Sequence, residues 1–120
     1  MIIVGLIHLL PLAGVTGTEK LTALYGIPIS GPDMEILLRH RAVLFGLFGG
    51  FIIYAALNPK VRMLGIIAGF LSVISFLVLA RLVGGYNESI QRVFAADVAA
   101  FVLLCISLVL TLAQRSSQAE

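Results

Sequence analysis

The chain has 120 residues, of which 60% are hydrophobic and only 12% are charged, with a formal net charge of +2. Soluble domains carry roughly 25% charged residues, so this composition and the mean hydropathy of +1.10 predict an integral membrane protein. The single cysteine excludes an internal disulfide framework and a thiolate metal cage, and the small positive charge argues against a nucleic-acid partner.

Four segments approach the roughly 20 apolar residues that a transmembrane helix needs, which predicts an all-α, polytopic four-helix bundle in the membrane. The predicted helices span residues 1–17, 33–57, 61–83 and 88–113. They form a single domain, and residues 114–120 form a polar tail. The first helix is the shortest, so we expect it to extend into the threonines near Thr16 or to lie in thinned lipid. A cleaved signal peptide is the alternative, but no Lys or Arg precedes the apolar run.

A short helix at residues 17–25 is predicted between the first two spanning helices. Thr16 and Glu19 have the spacing of a capping box, and Gly26 stands where a left-handed residue ends a helix. About two helical turns are too few to cross a bilayer, so we expect this helix to lie flat at the membrane surface, where it can cover a site.

The predicted loops fix the topology only in part. Ser30 is expected to cap the second spanning helix and Asn87 the fourth. An even number of crossings places both termini on one side of the membrane. Basic residues occur near both sides, but several arginines lie within apolar segments and suit a site better than a loop. We therefore expect cytoplasmic termini, with the opposite orientation as the alternative.

Ionisable side chains inside spanning helices are costly, so each is a candidate functional residue. Asp97 lies about four residues inside the fourth helix, which is roughly 6 Å deep at about 1.5 Å per residue. The second helix brings Arg39, His40 and Arg41 to a similar depth. Arg39, His40 and Asp97 are predicted to line a polar mouth on the side away from the termini.

Only one of the two arginines can face a neighbouring helix, because residues two apart diverge by roughly 200° around the helix axis. Arg39 shares its stripe with Gly46 and Gly50, and glycines mark close helix contact in membranes. We therefore predict that Arg39 faces inward to Asp97 and that Arg41 extends towards lipid headgroups. A purely structural ion pair between Arg39 and Asp97 is an equally weighted alternative to a ligand site.

His8, in the middle of the first helix, allows three interpretations: a proton-active group, a metal ligand or a histidine that hydrogen-bonds across the bundle. We favour the last, because the chain has only one other histidine, and the first helix has no cysteine or carboxylate at ligand spacing. No metal site, cofactor or catalytic residue is predicted.

Several short strings carry a resemblance over nearly the whole chain: residues 24–26 (LYG), 39–46 (RHRAVLFG), 84–87 (GGYN) and Asp97. They resemble a family of small four-helix proteins of the bacterial inner membrane, DoxX-like in appearance. The resemblance implies a recurrent polar set of Tyr25, Arg39, His40, Arg41, Asn87 and Asp97. It brings no established activity and suggests only a loose connection to quinone or thiol redox systems.

Members of that family often carry the label phosphopantetheine adenylyltransferase, which this sequence does not support. That soluble enzyme uses a His-x-Gly-His motif, and residues 8–11 are HLLP. No glycine-rich phosphate loop follows a predicted strand.

Three functions remain open. The first is a binding protein or accessory subunit that holds an amphiphile, such as a quinone or an anionic lipid headgroup, at the polar mouth. The second is a small membrane enzyme acting on such an amphiphile, and the third is an oligomeric proton-coupled transporter. We favour the first, because the enzyme lacks a second unpaired carboxylate and the transporter lacks a site near the midplane. The expected partners are membrane lipid, an amphiphile, and further copies or a larger membrane complex.

Overall fold

The computed structural model describes residues 1–118, which form five α-helices, one 3-10 segment and no strand. The elements are α1 (Ile2–Leu9), the 3-10 segment (Leu10–Thr16), α2 (Thr18–Tyr25), α3 (Pro32–Leu57), α4 (Arg62–Val83) and α5 (Glu88–Gln118). The predicted all-α class is confirmed. Within this part of the chain, α3, α4 and α5 are long and apolar enough to cross a membrane.

The first predicted spanning helix differs most from expectation, because it changes from an α-helix to a 3-10 helix in its middle. Pro11 has no N–H to donate to the carbonyl of Ile7, and the Leu10 N–H bonds that carbonyl instead. The chain consequently tightens from α1 into the 3-10 segment. The combined apolar stretch, Ile2–Thr16, is shorter than the three long helices.

Two of the predicted helix caps are wrong. The Thr16 hydroxyl donates to the carbonyl of Ala13 at 2.8 Å, and Gly17 occupies the cap position of α2 without a side-chain bond. Gly31, not Ser30, precedes α3. Both glycines have positive φ angles, 153° and 83°, which other residues avoid. In each case the glycine therefore makes the turn and displaces the helix start by one residue.

The ends of the other helices follow the sequence more closely. Gly26 ends α2 in the left-handed conformation, with φ 64°, and Asn87 caps α5 by accepting the N–H of Ile90 at 2.9 Å. α5 was predicted to end at residue 113, but it continues to Gln118, so residues 114–118 of the predicted polar tail are helical. That stretch contains no glycine or proline, and Arg62 donates to the side chain of Gln114 at 3.3 Å. Residues 119–120 lie outside the described part.

Four helical elements pack in a ring, in the order α1, α3, α4, α5 and back to α1. The core lies at the centre of this ring, where each element contributes at least one fully buried side chain: Val4, Ile52, Val73, Ala100 and Leu104. Large apolar side chains also cover the outside, as at Leu47 and Leu71, which are 68% and 69% exposed. Such a surface is compatible with a lipid environment.

The backbones of α1 and α3 approach each other closely at two glycines. A Cβ atom added at Gly5 would lie 2.9 Å from the carbonyl oxygen of Gly49, and one added at Gly49 would lie 2.8 Å from the carbonyl oxygen of Gly5. Gly50, the next residue on α3, has open space around it. The α1–α3 contact therefore depends on one glycine from each helix.

Candidate functional site

A cavity of about 270 Å³ lies at the end of the ring that α2 covers. All six helical elements contribute to its wall, which consists mostly of apolar side chains such as Leu10, Leu24, Phe45 and Phe76. The polar side chains in the wall are His8, Tyr25, Arg41, Ser89, Arg92 and Asp97. This combination of an apolar wall and a few converging polar groups is typical of a small-molecule site.

Arg41 is the basic side chain of α3 that faces this cavity. Its guanidinium lies 5.1 Å from the ring centre of Tyr25 and 5.0 Å from that of Phe45. Tyr25 is buried, at 4% exposure, so the two rings hold the cation beside an apolar wall. Cation–π contacts of this kind contribute about 0.5–2 kcal/mol each. The prediction that Arg41 extends towards headgroups outside the bundle is wrong.

Arg39 turns away from the cavity, and the predicted pair with Asp97 is also wrong. Its guanidinium pairs with Glu35 on the same helix at 2.9 Å and donates to the carbonyl of Val15 at 2.9 Å. His40 is exposed as well. The error has a physical cause, because the stripe of Arg39 and Gly46 does contact a neighbouring element, but that element is the 3-10 segment, through Leu12 and Val15, and not α5.

Asp97 lies in the cavity wall on α5, where it is half-buried. Within residues 1–118 its carboxylate has no hydrogen bond, and no cationic side chain lies within the 4.0 Å of an ion pair. Arg41 and Arg92 line the same cavity. The carboxylate is therefore available to a molecule that enters the cavity.

The residues of α5 in the cavity wall share one helical stripe. Ser89, Arg92, Val93, Ala96 and Asp97 all contribute, and they follow the spacing i, i+3, i+4, i+7, i+8 of a single face. Neither Arg92 nor Ser89 is among the residues predicted for the site. Following the helical stripe through Asp97 would have identified both.

Asn87 holds α2 over the cavity. Its side-chain amide donates to the carbonyl of Tyr25 at 2.8 Å and to that of Gly26 at 3.1 Å, while its side-chain oxygen caps α5. These carbonyls end α2, where helix carbonyls lack partners within the helix. Asn87, predicted as part of the polar set, is therefore a link between α2 and α5 rather than a group that faces the cavity.

His8 is hydrogen-bonded across the ring, as the favoured interpretation has it. Its Nδ1 lies 2.8 Å from the carbonyl of Val4 and its Nε2 lies 3.1 Å from the hydroxyl of Ser72 on α4. Since a carbonyl only accepts, Nδ1 donates and Nε2 of the neutral ring accepts from the serine. Among the described residues, no three His, Cys, Asp or Glu side chains come together in a group that could hold a metal ion.

A second cavity, an open groove of about 610 Å³, runs along the outside of the ring between α3 and α4. Its wall includes Leu44, Phe48 and Leu71. Arg41 and Phe45 belong to the walls of both the groove and the inner cavity. The two spaces are therefore neighbours, with Arg41 and Phe45 between them.

Comparisons with known proteins add no relative. No protein-family model, curated protein or solved structure matches this chain. The DoxX-like resemblance stays a prediction, and the interpretation of the site depends on its geometry.

Proposed function

We propose that this protein crosses a membrane four times and binds the polar head of an amphiphile in the inner cavity. We place it in the bacterial inner membrane, where the family that it resembles is found. The single observation that carries the proposal is the cavity itself, an apolar space with Arg41 and Asp97 in its wall that lies beside a groove on the apolar outer surface.

The height of the first segment supports four crossings. Residues 2–16 rise about 26 Å, at about 1.5 Å per α-helical residue and about 2 Å per 3-10 residue, close to the roughly 30 Å of a hydrocarbon core. Met1 lies beside Gly65 near the start of α4, and the carbonyl of Val15 accepts from Arg39. The apolar part of α3, residues 42–57, covers a similar height, about 24 Å.

The basic side chains of the cavity favour a head that contains a phosphate or carboxylate over a neutral quinone ring. Arg41 and the exposed Arg92 both contribute to its wall, and guanidinium is the side chain best suited to carboxylate or phosphate. The volume of about 270 Å³ is at the lower limit of roughly 300–1,000 Å³ for ligand sites. It suits a headgroup, with the apolar chain outside in the groove.

Native mass spectrometry of protein released from lipid nanodiscs tests this function. We expect the wild-type protein to retain a discrete phospholipid and Arg41→Gln to retain about tenfold less, because hydrogen bonds to charged groups contribute about 1.5–3 kcal/mol. Arg39→Gln is the matched control. It removes the same kind of side chain at a position two residues before Arg41 that lies outside the cavity. Wild-type protein that carries no lipid would refute the function. If both variants melt at the temperature of the wild type, an equal loss of bound lipid in the two would also refute it.

A further inference from the structure

The ionisable groups that face the cavity are of both signs. Arg41 reaches it from α3, and Arg92 and Asp97 reach it from α5. The remaining polar groups are His8, which is already hydrogen-bonded, and the side chains of Tyr25 and Ser89. A purely anionic head would satisfy the guanidinium groups but would bring a second negative charge to the unpaired carboxylate.

We propose that the head bound here carries a phosphate and a primary ammonium group, as in a phosphoethanolamine lipid. This inference rests on the proposed function and specifies its ligand class. The phosphate binds Arg41 and Arg92, and the ammonium group donates to the carboxylate of Asp97. Each charge of the head then meets an opposite charge, and at Arg41 and Asp97, which are half-buried in an apolar wall, water screens the interaction less than in bulk solvent.

The unpaired carboxylate discriminates between headgroups. A glycerol head has no positive charge for Asp97, and a choline head has no N–H to donate to it. A primary ammonium group supplies both the charge and three donors. The carboxylate therefore selects the ethanolamine head.

The source of this head is a lipid, not a free phosphoester. Arg41 and Phe45 belong to both the inner cavity and the groove between α3 and α4. The groove is lined largely by apolar side chains such as Leu44 and Leu71, which a free polar ester would leave uncovered. A lipid fills both spaces, with its head at Arg41 and its chain between the two helices.

The test is a competition in nanodiscs that contain equal amounts of phosphatidylethanolamine, phosphatidylglycerol and phosphatidylcholine with identical acyl chains, followed by native mass spectrometry. We expect the wild-type protein to retain the ethanolamine lipid about tenfold over either competitor, as one charged hydrogen bond allows. In Asp97→Asn the ratio of ethanolamine to glycerol lipid should fall about tenfold. Asp33→Asn, at an exposed carboxylate in the first turn of α3, should keep the wild-type ratio.

The ratio of ethanolamine lipid to its competitors is measured on the wild-type protein, so a variant that fails to fold does not affect this part of the test. A preference for glycerol or choline lipid that disappears in Arg41→Gln would overturn this inference and leave the proposed function standing. An unchanged ratio in folded Asp97→Asn would also overturn it. Retention of none of the three lipids would refute both proposals. Free phosphoethanolamine retained by lipid-depleted protein as strongly as the lipid would overturn the assignment to a lipid.

Discussion

The α1–α3 contact makes a sharp prediction about two adjacent glycines. Gly49→Ala places a methyl group 2.8 Å from the carbonyl oxygen of Gly5, where ordinary contacts begin at about 3.4 Å. The obstacle is backbone, which cannot rotate away as a side chain does. Overpacking of this kind costs about 1–3 kcal/mol. Gly50→Ala adds the same methyl group to the same helix, but into open space.

The comparison isolates the clash, because the gain in helix propensity from glycine to alanine is similar at both sites. We expect the free energy of unfolding of Gly49→Ala to lie about 1–3 kcal/mol below that of Gly50→Ala. Reversible unfolding in mixed detergent micelles, followed by circular dichroism, measures this difference. Equal unfolding free energies in the two variants would refute the close packing of α1 on α3.

Two further pairs of variants test the hydrogen bonds around the cavity. Asn87→Ala removes the bonds to the end of α2, and we expect about 1–3 kcal/mol lower stability and faster amide exchange in α2. Asn58→Ala, at the opposite end of α3, should leave amide exchange in α2 unchanged. Equal exchange rates of α2 in the two variants would contradict the role of Asn87 in holding α2 to α5. Ser72→Ala should cost about 1–3 kcal/mol in the same unfolding assay, because it leaves Nε2 of His8 without its donor. An equal loss in Ser75→Ala would contradict this role.

The long helices were predictable because their signals are local. An apolar run is visible in the sequence, and breakers such as Asn58 and Gly84 end α3 and α4 where predicted. Helix starts were less predictable, since Gly17 and Gly31 took positions that a capping side chain was expected to fill. The end of α5 was missed because polar residues alone do not stop a helix.

The candidate site was only partly predictable, because it depends on which face of α3 packs inward. The sequence offers Gly46, Gly49 and Gly50 as contact points, and the adjacent Gly49 and Gly50 point in directions about 100° apart around the helix axis. The choice is decided by Gly5 on α1, which contacts Gly49, and no local signal reports that partner. Asp97 does share the cavity wall with an arginine of α3, but that arginine is Arg41 and not the predicted Arg39.

The link formed by Asn87 bears on how a ligand would enter the cavity under the proposed function. The route past α2 is held by the two hydrogen bonds that Asn87 makes to the end of that helix. The route from the groove passes Arg41 and Phe45, whose side chains line both spaces and are held together by one cation–π contact. A ligand dissolved in the bilayer would have only that contact to part, so its solubility in lipid would select it before its charge does.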